Sequence, residues 1–379
     1  MNSEYLSELL AEVTKRGGGL VLNQGEVPTA VVLSVEKYYQ LLNGTLIDMD
    51  AQAQQASKQT NERTILVTGG AGYVGGHVAR ELLDAGFTVV VLDNLHAGRK
   101  EHVPLEAIFI EGDVRDINLL RDIFAQRTVD AVVHLAALLE VEESVANPDV
   151  YFDVNTVGTI NLAKVMREAG VTSIVFSSTA AVYGLQGLGL IPETAECKPN
   201  SPYGASKLLA EQALLYFSTF GNLQVTVLRF FNVAGKHSEW DVNDTHTNSH
   251  LIPIVLSVAR GEKPVLTVNG SDYSTFDGTC VRDYVHVLDI AKAHVAALNR
   301  STENQYTIYN VGTGHGASVR EVVQAAAEIT GHMIPMEIGP RRPGDDAQTV
   351  ADCAKIAKEL GFKAEHSSLE EIIANSWTS

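Results

Sequence analysis

The sequence is poor in cysteine, in basic residues and in long apolar runs. Its three cysteines, Cys197, Cys280 and Cys353, lie far apart without Cys-x-x-Cys spacing, which predicts free thiols in a reducing compartment. Its 28 Lys and Arg face 46 Asp and Glu, which argues against a nucleic-acid or membrane surface on the main body. No apolar run approaches the roughly 18 residues of a membrane span, and the first residues lack signal-peptide features. We therefore expect a cytoplasmic protein.

Metal-ligand spacing is also missing. His237, His246 and His250 lie near aspartates, but no His-Glu-x-x-His or comparable spacing occurs, so we expect no metal.

What is present is a globular composition, 45% apolar and 20% charged, with alternating strand and helix patterns after residue 63. Apolar runs that predict strands lie at residues 65–67, 87–92, 107–110, 131–135, 173–176 and 224–230. This alternation is typical of an α/β fold with a doubly wound parallel (Rossmann) sheet. Beyond residue 230 the pattern loosens into long loops and then helices, which indicates a smaller substrate-binding region. We predict domains at 1–59, 60–230 and 231–379.

The stretch 64–79 predicts a buried strand, a glycine turn and a helix. Glycines at 69, 72 and 75 follow the apolar run, an arrangement that lets a backbone turn and helix end approach a pyrophosphate. A glycine triplet alone is a weak signal. The next strand ends in Asp93, whose carboxylate would accept the ribose hydroxyls of NAD and repel the extra phosphate of NADP.

Polar residues follow the other predicted strands, at 112–116, 134–137 and 177–179. Ligands of such folds lie outside the carboxyl ends of the strands, so we expect these clusters to form one site.

Tyr203 and Lys207 stand four residues apart at the start of a predicted helix, so both side chains emerge on one face. A neighbouring ammonium and a positive nicotinamide favour the phenolate, which predicts that Tyr203 has a pKa nearer neutrality and acts as a base. Thr179, at a strand end, could offer a hydroxyl to the same substrate oxygen.

The first 59 residues predict a separate small α+β piece. A helical pattern at residues 6–13, a strand pair at 20–23 and 29–33, a helix after Ser34 and a polar linker at 50–59 follow in order. Residues 9–13, Gly25 and residues 31–38 resemble Phd/YefM-type antitoxins, although the opening strand of that family is missing. The alternative is an unrelated short extension.

The rest of the chain, from Thr64 to Ser379, resembles the UDP-glucose 4-epimerases (UDP-galactose 4-epimerases), which are extended short-chain dehydrogenases/reductases. The motifs are Thr68-Gly-Gly-Ala-Gly-Tyr-Val-Gly, Leu92-Asp-Asn-Leu, Phe176-Ser-Ser-Thr-Ala-Ala-Val-Tyr-Gly, Pro202-Tyr-Gly-Ala-Ser-Lys, Asp277-Gly-Thr-Cys-Val-Arg-Asp-Tyr-Val-His-Val and Pro340-Arg-Arg-Pro-Gly-Asp. The resemblance implies interconversion of UDP-glucose and UDP-galactose through a 4-keto sugar with tightly bound NAD, in a homodimer.

The same resemblance assigns residue roles. Tyr203 would be the base, Lys207 would hold the ribose and tune Tyr203, and Thr179 would orient the sugar hydroxyl. Cofactor contacts would come from Gly69, Gly72, Tyr73, Val74, Gly75, Asp93, Asn94, Asp113, Val114, Leu135, Ala136, Ala137, Asn155, Ser177, Tyr203, Lys207 and Phe231. Substrate contacts would come from Thr179, Tyr203, Asn232, His250, Leu251, Arg282, Arg342, Asp345 and Thr349.

Two features depart from or extend this pattern. Leu139 stands where many family members carry a lysine, and acidic residues follow it, so we leave this position out of the site. Thr349 would lie against the 2-substituent of the sugar, where a small side chain leaves room for an N-acetyl group unless neighbouring loops fill the space. UDP-N-acetylglucosamine is therefore a second expected substrate.

Two rival interpretations remain open. A sugar-nucleotide dehydratase or another epimerase of the same fold is one, but dehydratases need an acid directly after the strand-end hydroxyl, where this chain has Ala180 and Ala181. The other is a non-catalytic nucleotide sensor that uses the antitoxin-like piece for binding.

Overall fold

The computed structural model describes residues 19–24, 27–33, 63–240, 242, 244, 249–300, 305–342 and 344–377. The chain divides into two compact units, Met1–Thr60 and Asn61–Ser379. In the first unit, β1 (Gly19–Gln24) and β2 (Val27–Leu33) pair antiparallel, which confirms the predicted strand pair. The two predicted helices of this piece and the polar linker lie outside the described residues.

Strands and helices alternate through the second unit. The strands are β3 (Thr64–Thr68), β4 (Thr88–Asp93), β5 (Ile108–Glu111), β6 (Ala131–His134), β7 (Ser173–Thr179), β8 (Leu190–Ile191), β9 (Gln224–Phe230), β10 (Asn232–Ala234), β11 (Leu266–Asn269), β12 (Val281–Arg282), β13 (Tyr284–His286), β14 (Tyr306–Val311), β15 (Ala317–Ser318), β16 (Met336–Gly339) and β17 (Gln348–Ala351). The α-helices are α1 (Tyr73–Asp84), α2 (Ile117–Gln126), α3 (Val141–Ala146), α4 (Pro148–Tyr151), α5 (Gly158–Ala169), α6 (Pro202–Gly221), α7 (Leu251–Ala259), α8 (Val287–Leu298), α9 (Val319–Thr330), α10 (Ala354–Leu360) and α11 (Leu369–Trp377). A π-helical segment, Phe152–Val157, joins α4 to α5.

Seven strands form one parallel sheet in the order β14-β9-β7-β6-β3-β4-β5. The chain winds outward from β3 through β4 and β5, then returns to β6 and continues the other way. This order confirms the predicted doubly wound sheet and places its switch point between β3 and β6, where such folds bind ligands. Six of the seven strands were predicted. The seventh, β14, was missed because buried polar residues interrupt its apolar pattern, among them Asn310.

The two faces of the sheet are covered by different helices. Ile65 and Val67 of β3 pack into one cluster with α1 and α8, whereas Leu66 packs into the other with α2, α5 and α6. Successive side chains of a strand point to opposite faces, and burial on both faces explains why the strands are continuous apolar runs.

Away from the large sheet, the chain forms several short strands and a cluster of three helices. One small sheet has the order β15-β12-β17-β8, and β10 with β13 and β11 with β16 form two-stranded pairs. A separate apolar cluster joins α7, α9 and α11. Ser318 caps α9 in a reciprocal arrangement with Glu321.

Candidate active site

A cleft of about 1100 Å³ opens at the carboxyl ends of the parallel strands. The predicted site residues all line it, with the exception of Asn155. The strand-end clusters that are far apart in the sequence therefore meet in one place.

The glycine turn after β3 is built for close backbone contact. Gly69 has φ 75°, and a Cβ there would lie 2.6 Å from the backbone nitrogen of Ala136. A Cβ on Gly75 would lie 2.0 Å from the carbonyl oxygen of Gly69. Gly72, by contrast, has only that carbonyl within 4 Å, at 3.3 Å. The turn is thus locked at its first and third glycines and open toward the cleft at the second.

Helix α1 begins at this turn, and Gly72 provides no side-chain cap for it. Its first N–H groups and the positive end of the helix dipole are therefore suited to an anion. The open face of Gly72 and this helix end fit the pyrophosphate of a dinucleotide.

Asp93 lies at the end of β4 beside the turn. Its carboxylate accepts hydrogen bonds from the backbone N–H of Ala71, at 3.0 Å, and of Leu95, at 2.8 Å. These contacts fix the carboxylate at the cleft wall, and its remaining lone pairs suit ribose hydroxyls. Nearby, the guanidinium of Arg115 lowers the pKa of Asp113 to about 2, so Asp113 remains an acceptor at neutral pH.

The loop after β6 forms the next part of the wall. Asn155 holds this loop from behind: its amide oxygen accepts from Leu138 N–H at 2.8 Å, and its amide nitrogen donates to Leu138 carbonyl and to Ser206 Oγ. It is 1% exposed and does not face the cleft. Leu139 and Glu140 do line the cleft, so the predicted departure from the family pattern lies at the site itself.

Thr179, Tyr203 and Lys207 lie together at the cleft floor. Ser201 caps α6 by accepting the N–H of Gly204 at 3.1 Å, and Pro202 occupies the first turn, so the helix starts immediately before Tyr203. Thr179 ends β7, and its hydroxyl acts on the phenol of Tyr203. Lys207 is 3% exposed, with its ammonium 4.2 Å from the centre of the Phe176 ring.

Burial dominates the electrostatics of this group. Desolvation raises the pKa of Tyr203, the Thr179 hydroxyl opposes that effect, and the charge of Glu140 adds to it. Desolvation lowers the pKa of Lys207 to about 7, against the opposing charge of Glu211. In the protein alone, desolvation therefore shifts the Tyr203 pKa upward, whereas the predicted shift toward neutrality also relied on the positive nicotinamide of bound NAD.

The substrate side of the cleft gathers the predicted polar residues around β12 and β17. Arg282 pairs in register with Thr349, and its guanidinium donates to the carbonyl oxygens of Val281 and Asp346 and lies 3.4 Å from Asp345. Arg342 lies 3.6 Å from Glu142 across the cleft mouth. Two guanidinium groups on one wall fit a diphosphate.

Asn232, His250 and Leu251 line the same side. His250 contacts Asp244 at 2.9 Å and directly precedes α7, and Asn232 lies on β10. Asn232 and the consecutive pair His250 and Leu251 come from two different segments, which only the fold brings together.

Residues that the sequence analysis did not single out also line the cleft. Asp346 accepts the backbone N–H groups of Gln186 and Gly187, and Asn200 donates to the carbonyl of Gly344. The bonds of Asp346 join the loop at residues 184–189 to the segment that ends at Asp346, and the bond of Asn200 ties that segment to the residues before α6. The one available signal in the sequence was Asp346, an acidic residue directly after the Pro-Gly-Asp motif.

The residue type after Thr179 bears on the dehydratase alternative. Thr179 Oγ1 accepts the N–H of Ala181, at 3.1 Å, and Ala180 and Ala181 line the cleft. This position therefore offers no carboxyl group to the site.

Two negative findings hold for the described part of the chain. No cluster of three His, Cys, Asp or Glu side chains there could hold a metal ion. No helix there has the length and apolarity required to cross a membrane.

Comparison with known proteins gives consistent matches. The model of the NAD dependent epimerase/dehydratase family matches residues 65–312. A UDP-glucose 4-epimerase of Lacticaseibacillus casei is 43% identical over 316 residues, which cover 83% of this chain and 96% of that protein.

Solved structures agree. The chain is similar to a UDP-glucose 4-epimerase from Stenotrophomonas maltophila with bound NAD and formylated UDP-arabinopyranose, with 40% identity, a TM-score of 0.80, and 84% and 97% of the two chains covered. A UDP-Glc/GlcNAc 4-epimerase from Campylobacter jejuni is 37% identical with a TM-score of 0.75, and 83% and 98% are covered.

Proposed function

The chain belongs to the NAD dependent epimerase/dehydratase family and, within it, to the UDP-glucose 4-epimerases, and we propose that Tyr203, Thr179 and Lys207 carry its chemistry. It interconverts UDP-glucose and UDP-galactose through a 4-keto sugar. The observation that carries the residue assignment is the meeting of these three side chains on the floor of one cleft, between the glycine turn and the two arginines.

The turn at Gly69, Gly72 and Gly75 and the carboxylate of Asp93 would hold NAD, which when bound accepts hydride from sugar C4 and returns it to the opposite face. Tyr203 takes the proton from the 4-hydroxyl and gives it back. Thr179 orients that hydroxyl, and Lys207 stabilises the phenolate. Arg282 and Arg342 hold the diphosphate while the sugar turns over, and Asn155 keeps the 135–138 loop in place.

An activity assay tests the assignment. The purified protein should convert UDP-galactose to UDP-glucose without added NAD, and Tyr203→Phe should lower turnover by a factor of roughly a thousand or more while NAD stays bound. Tyr216→Phe removes an exposed phenol from the same helix and should leave turnover unchanged. Wild-type turnover in Tyr203→Phe would remove Tyr203 from the mechanism, and a dehydrated product or complete inactivity of the wild type would favour the rival functions.

Acceptance of UDP-N-acetylglucosamine is a second activity that one position favours. Thr349 lines the cleft and is half-buried, and steric exclusion is the strongest available discriminator at such a wall. Thr349→Tyr should abolish turnover of the N-acetylated sugar while UDP-galactose turnover persists, and Thr349→Ser should retain both. A wild type that ignores the N-acetylated sugar at high enzyme concentration would contradict this proposal.

A homodimer is supported by exposed apolar side chains on α6, on the π-helical segment and at the start of α5. Leu209, Tyr216 and Phe220 are 44%, 65% and 80% exposed, and the last two rings stack. Val157 and Ile160 are also exposed. Two helical segments from each copy could cover this surface as a four-helix packing. Phe220→Glu should yield monomers by light scattering, and a monomeric wild type would exclude the dimer.

A cytoplasmic location is supported by the three free cysteines, which fit a reducing compartment. The acidic composition argues against nucleic acid as a partner of the main body.

A further inference from the structure

A buried ion pair lies directly behind the three proposed catalytic side chains. Glu211 and Arg229 are 2% and 3% exposed. Arg229 binds the carboxylate through two nitrogens, with Nε 3.0 Å from Oε1 and Nη2 in contact with Oε2. The guanidinium also stacks on the ring of Tyr183, 4.8 Å from its centre. Both charges are thus held in one fixed geometry.

This pair connects the elements that carry the chemistry. Glu211 lies on α6 one turn after Lys207 and two turns after Tyr203. Ser178, immediately before Thr179, donates its hydroxyl to the same carboxylate. Arg229 lies on β9 in register with Ser178 on β7. One carboxylate therefore fixes the strand end of Thr179 against the helix of Tyr203 and Lys207.

We propose that Glu211, held by Arg229, is a positioning residue that aligns Thr179 with Tyr203 and places a carboxylate one helical turn from Lys207. This inference rests on the proposed roles of those three residues. A pair serving only stability would be replaceable by apolar side chains of similar volume, often without loss. The charge of Glu211 distinguishes a positioning role from a purely stabilising one. That charge acts on Lys207 independently of how much the ion pair stabilises the fold.

The charged and titratable groups around Lys207 support this assignment. Burial lowers the pKa of Lys207 to about 7, and Glu211 on the same helix opposes that shift. From β6, His134 faces Lys207, but burial lowers the His134 pKa to about 3 and keeps it neutral. Tyr203 lies one turn away, and Arg229 on β9 is bound to Glu211. Glu211 is thus the carboxylate that favours protonation of Lys207.

The test replaces both charges at once, with Glu211→Met together with Arg229→Met, so that no buried charge is left unpaired. Turnover should fall about tenfold or more, with little change in KM for UDP-galactose. The decline of turnover at alkaline pH should begin roughly one pH unit lower than in the wild type, because Lys207 loses its proton more easily. The single variant Glu211→Gln, measured on its folded fraction, should change turnover and the alkaline limb of the pH profile in the same direction.

Asp289→Asn is the matched control. Asp289 is a fully buried carboxylate on α8 that accepts from the N–H groups of Glu365 and His366, far along the chain from Lys207. This change should lower the melting temperature without moving the pH profile. A folded double variant with wild-type turnover and an unchanged alkaline limb would overturn the positioning role, whereas a wild type without epimerase activity would instead refute the assignment on which it rests.

Discussion

The two sides of the cleft are built by different means. On the cofactor side the shape is fixed by backbone: the glycine turn is interlocked so closely that a Cβ at Gly69 or Gly75 would penetrate neighbouring main-chain atoms. On the substrate side the polar groups are side chains on short strands and loops, with Arg282 and Arg342 17% and 48% exposed. The cofactor side is therefore formed in advance of binding, whereas the charged groups of the substrate side can adjust to the ligand.

Among the changes that compare the two sides of the cleft, the largest effect should come from Gly75→Ala. Its Cβ would lie 2.0 Å from a backbone oxygen that cannot move independently, so we expect a protein purified without NAD and with activity reduced by at least about a hundredfold. The measurements are NAD content after denaturation and turnover.

Gly72→Ala is the control for that change, because its Cβ would meet one atom at 3.3 Å. It should weaken NAD binding while the melting temperature without cofactor stays near that of the wild type. Full NAD content in Gly75→Ala would show that the backbone of the turn can adjust. That result would contradict the proposed difference between the two sides of the cleft.

The arginines should show a smaller, graded effect. Arg282 is held by two backbone carbonyls and is largely buried, whereas Arg342 faces an exposed carboxylate at 3.6 Å. Because ordered charged donors contribute more, Arg282→Ala should raise KM for UDP-galactose roughly tenfold to a hundredfold. Arg342→Ala should raise it less, measured by steady-state kinetics. The reverse ranking would mean that exposure does not predict which group holds the diphosphate.

Lowering the pH should destabilise the fold, because four of its buried histidines are neutral in the folded state. Burial lowers the pKa of His77 and His134 to about 3 and of His286 and His294 to about 4, from 6.5. Between those values the unfolded chain binds more protons than the folded one, so stability is full above pH 6.5 and falls as the pH drops below it. Each histidine contributes up to about 1.4 kcal/mol per pH unit.

Denaturation of the holoenzyme between pH 7 and pH 5 measures this slope. His77→Gln should reduce the slope, and the exposed His332→Gln should not. A free energy of unfolding that is constant over this range would contradict the buried, neutral state of these rings.

The smallest effect should come from deleting residues 1–59. The second compact unit spans Asn61–Ser379, and its first strand, β3, begins at Thr64. The shortened protein should therefore be folded and as active as the full chain. Deleting residues 1–68 removes the central strand and should abolish folding. An insoluble 60–379 protein would show that the front piece supports the main body.

Local sequence patterns predicted most strands of the large sheet and the glycine turn of the site. The strands near 65–67 and 87–92 were evident because burial on both faces requires continuous apolar runs. The glycine turn was evident because its spacing is a local steric requirement. By contrast, β14 was not predicted, since the pattern of a strand with a buried Asn310 looks like a loop until Tyr183 and Ile191 are placed beside it.

The sequence by itself determined the winding order of strand and helix, the glycine turn and the paired Tyr203 and Lys207, because each depends on spacing within about one element. Only the tertiary structure decided that Glu211 and Arg229 lie behind that pair, that Asn155 faces a loop instead of the cleft, and that burial moves the Tyr203 and Lys207 pKa values in opposite directions. Desolvation and contacts between distant segments depend on what the whole chain packs around a group, which no local spacing encodes.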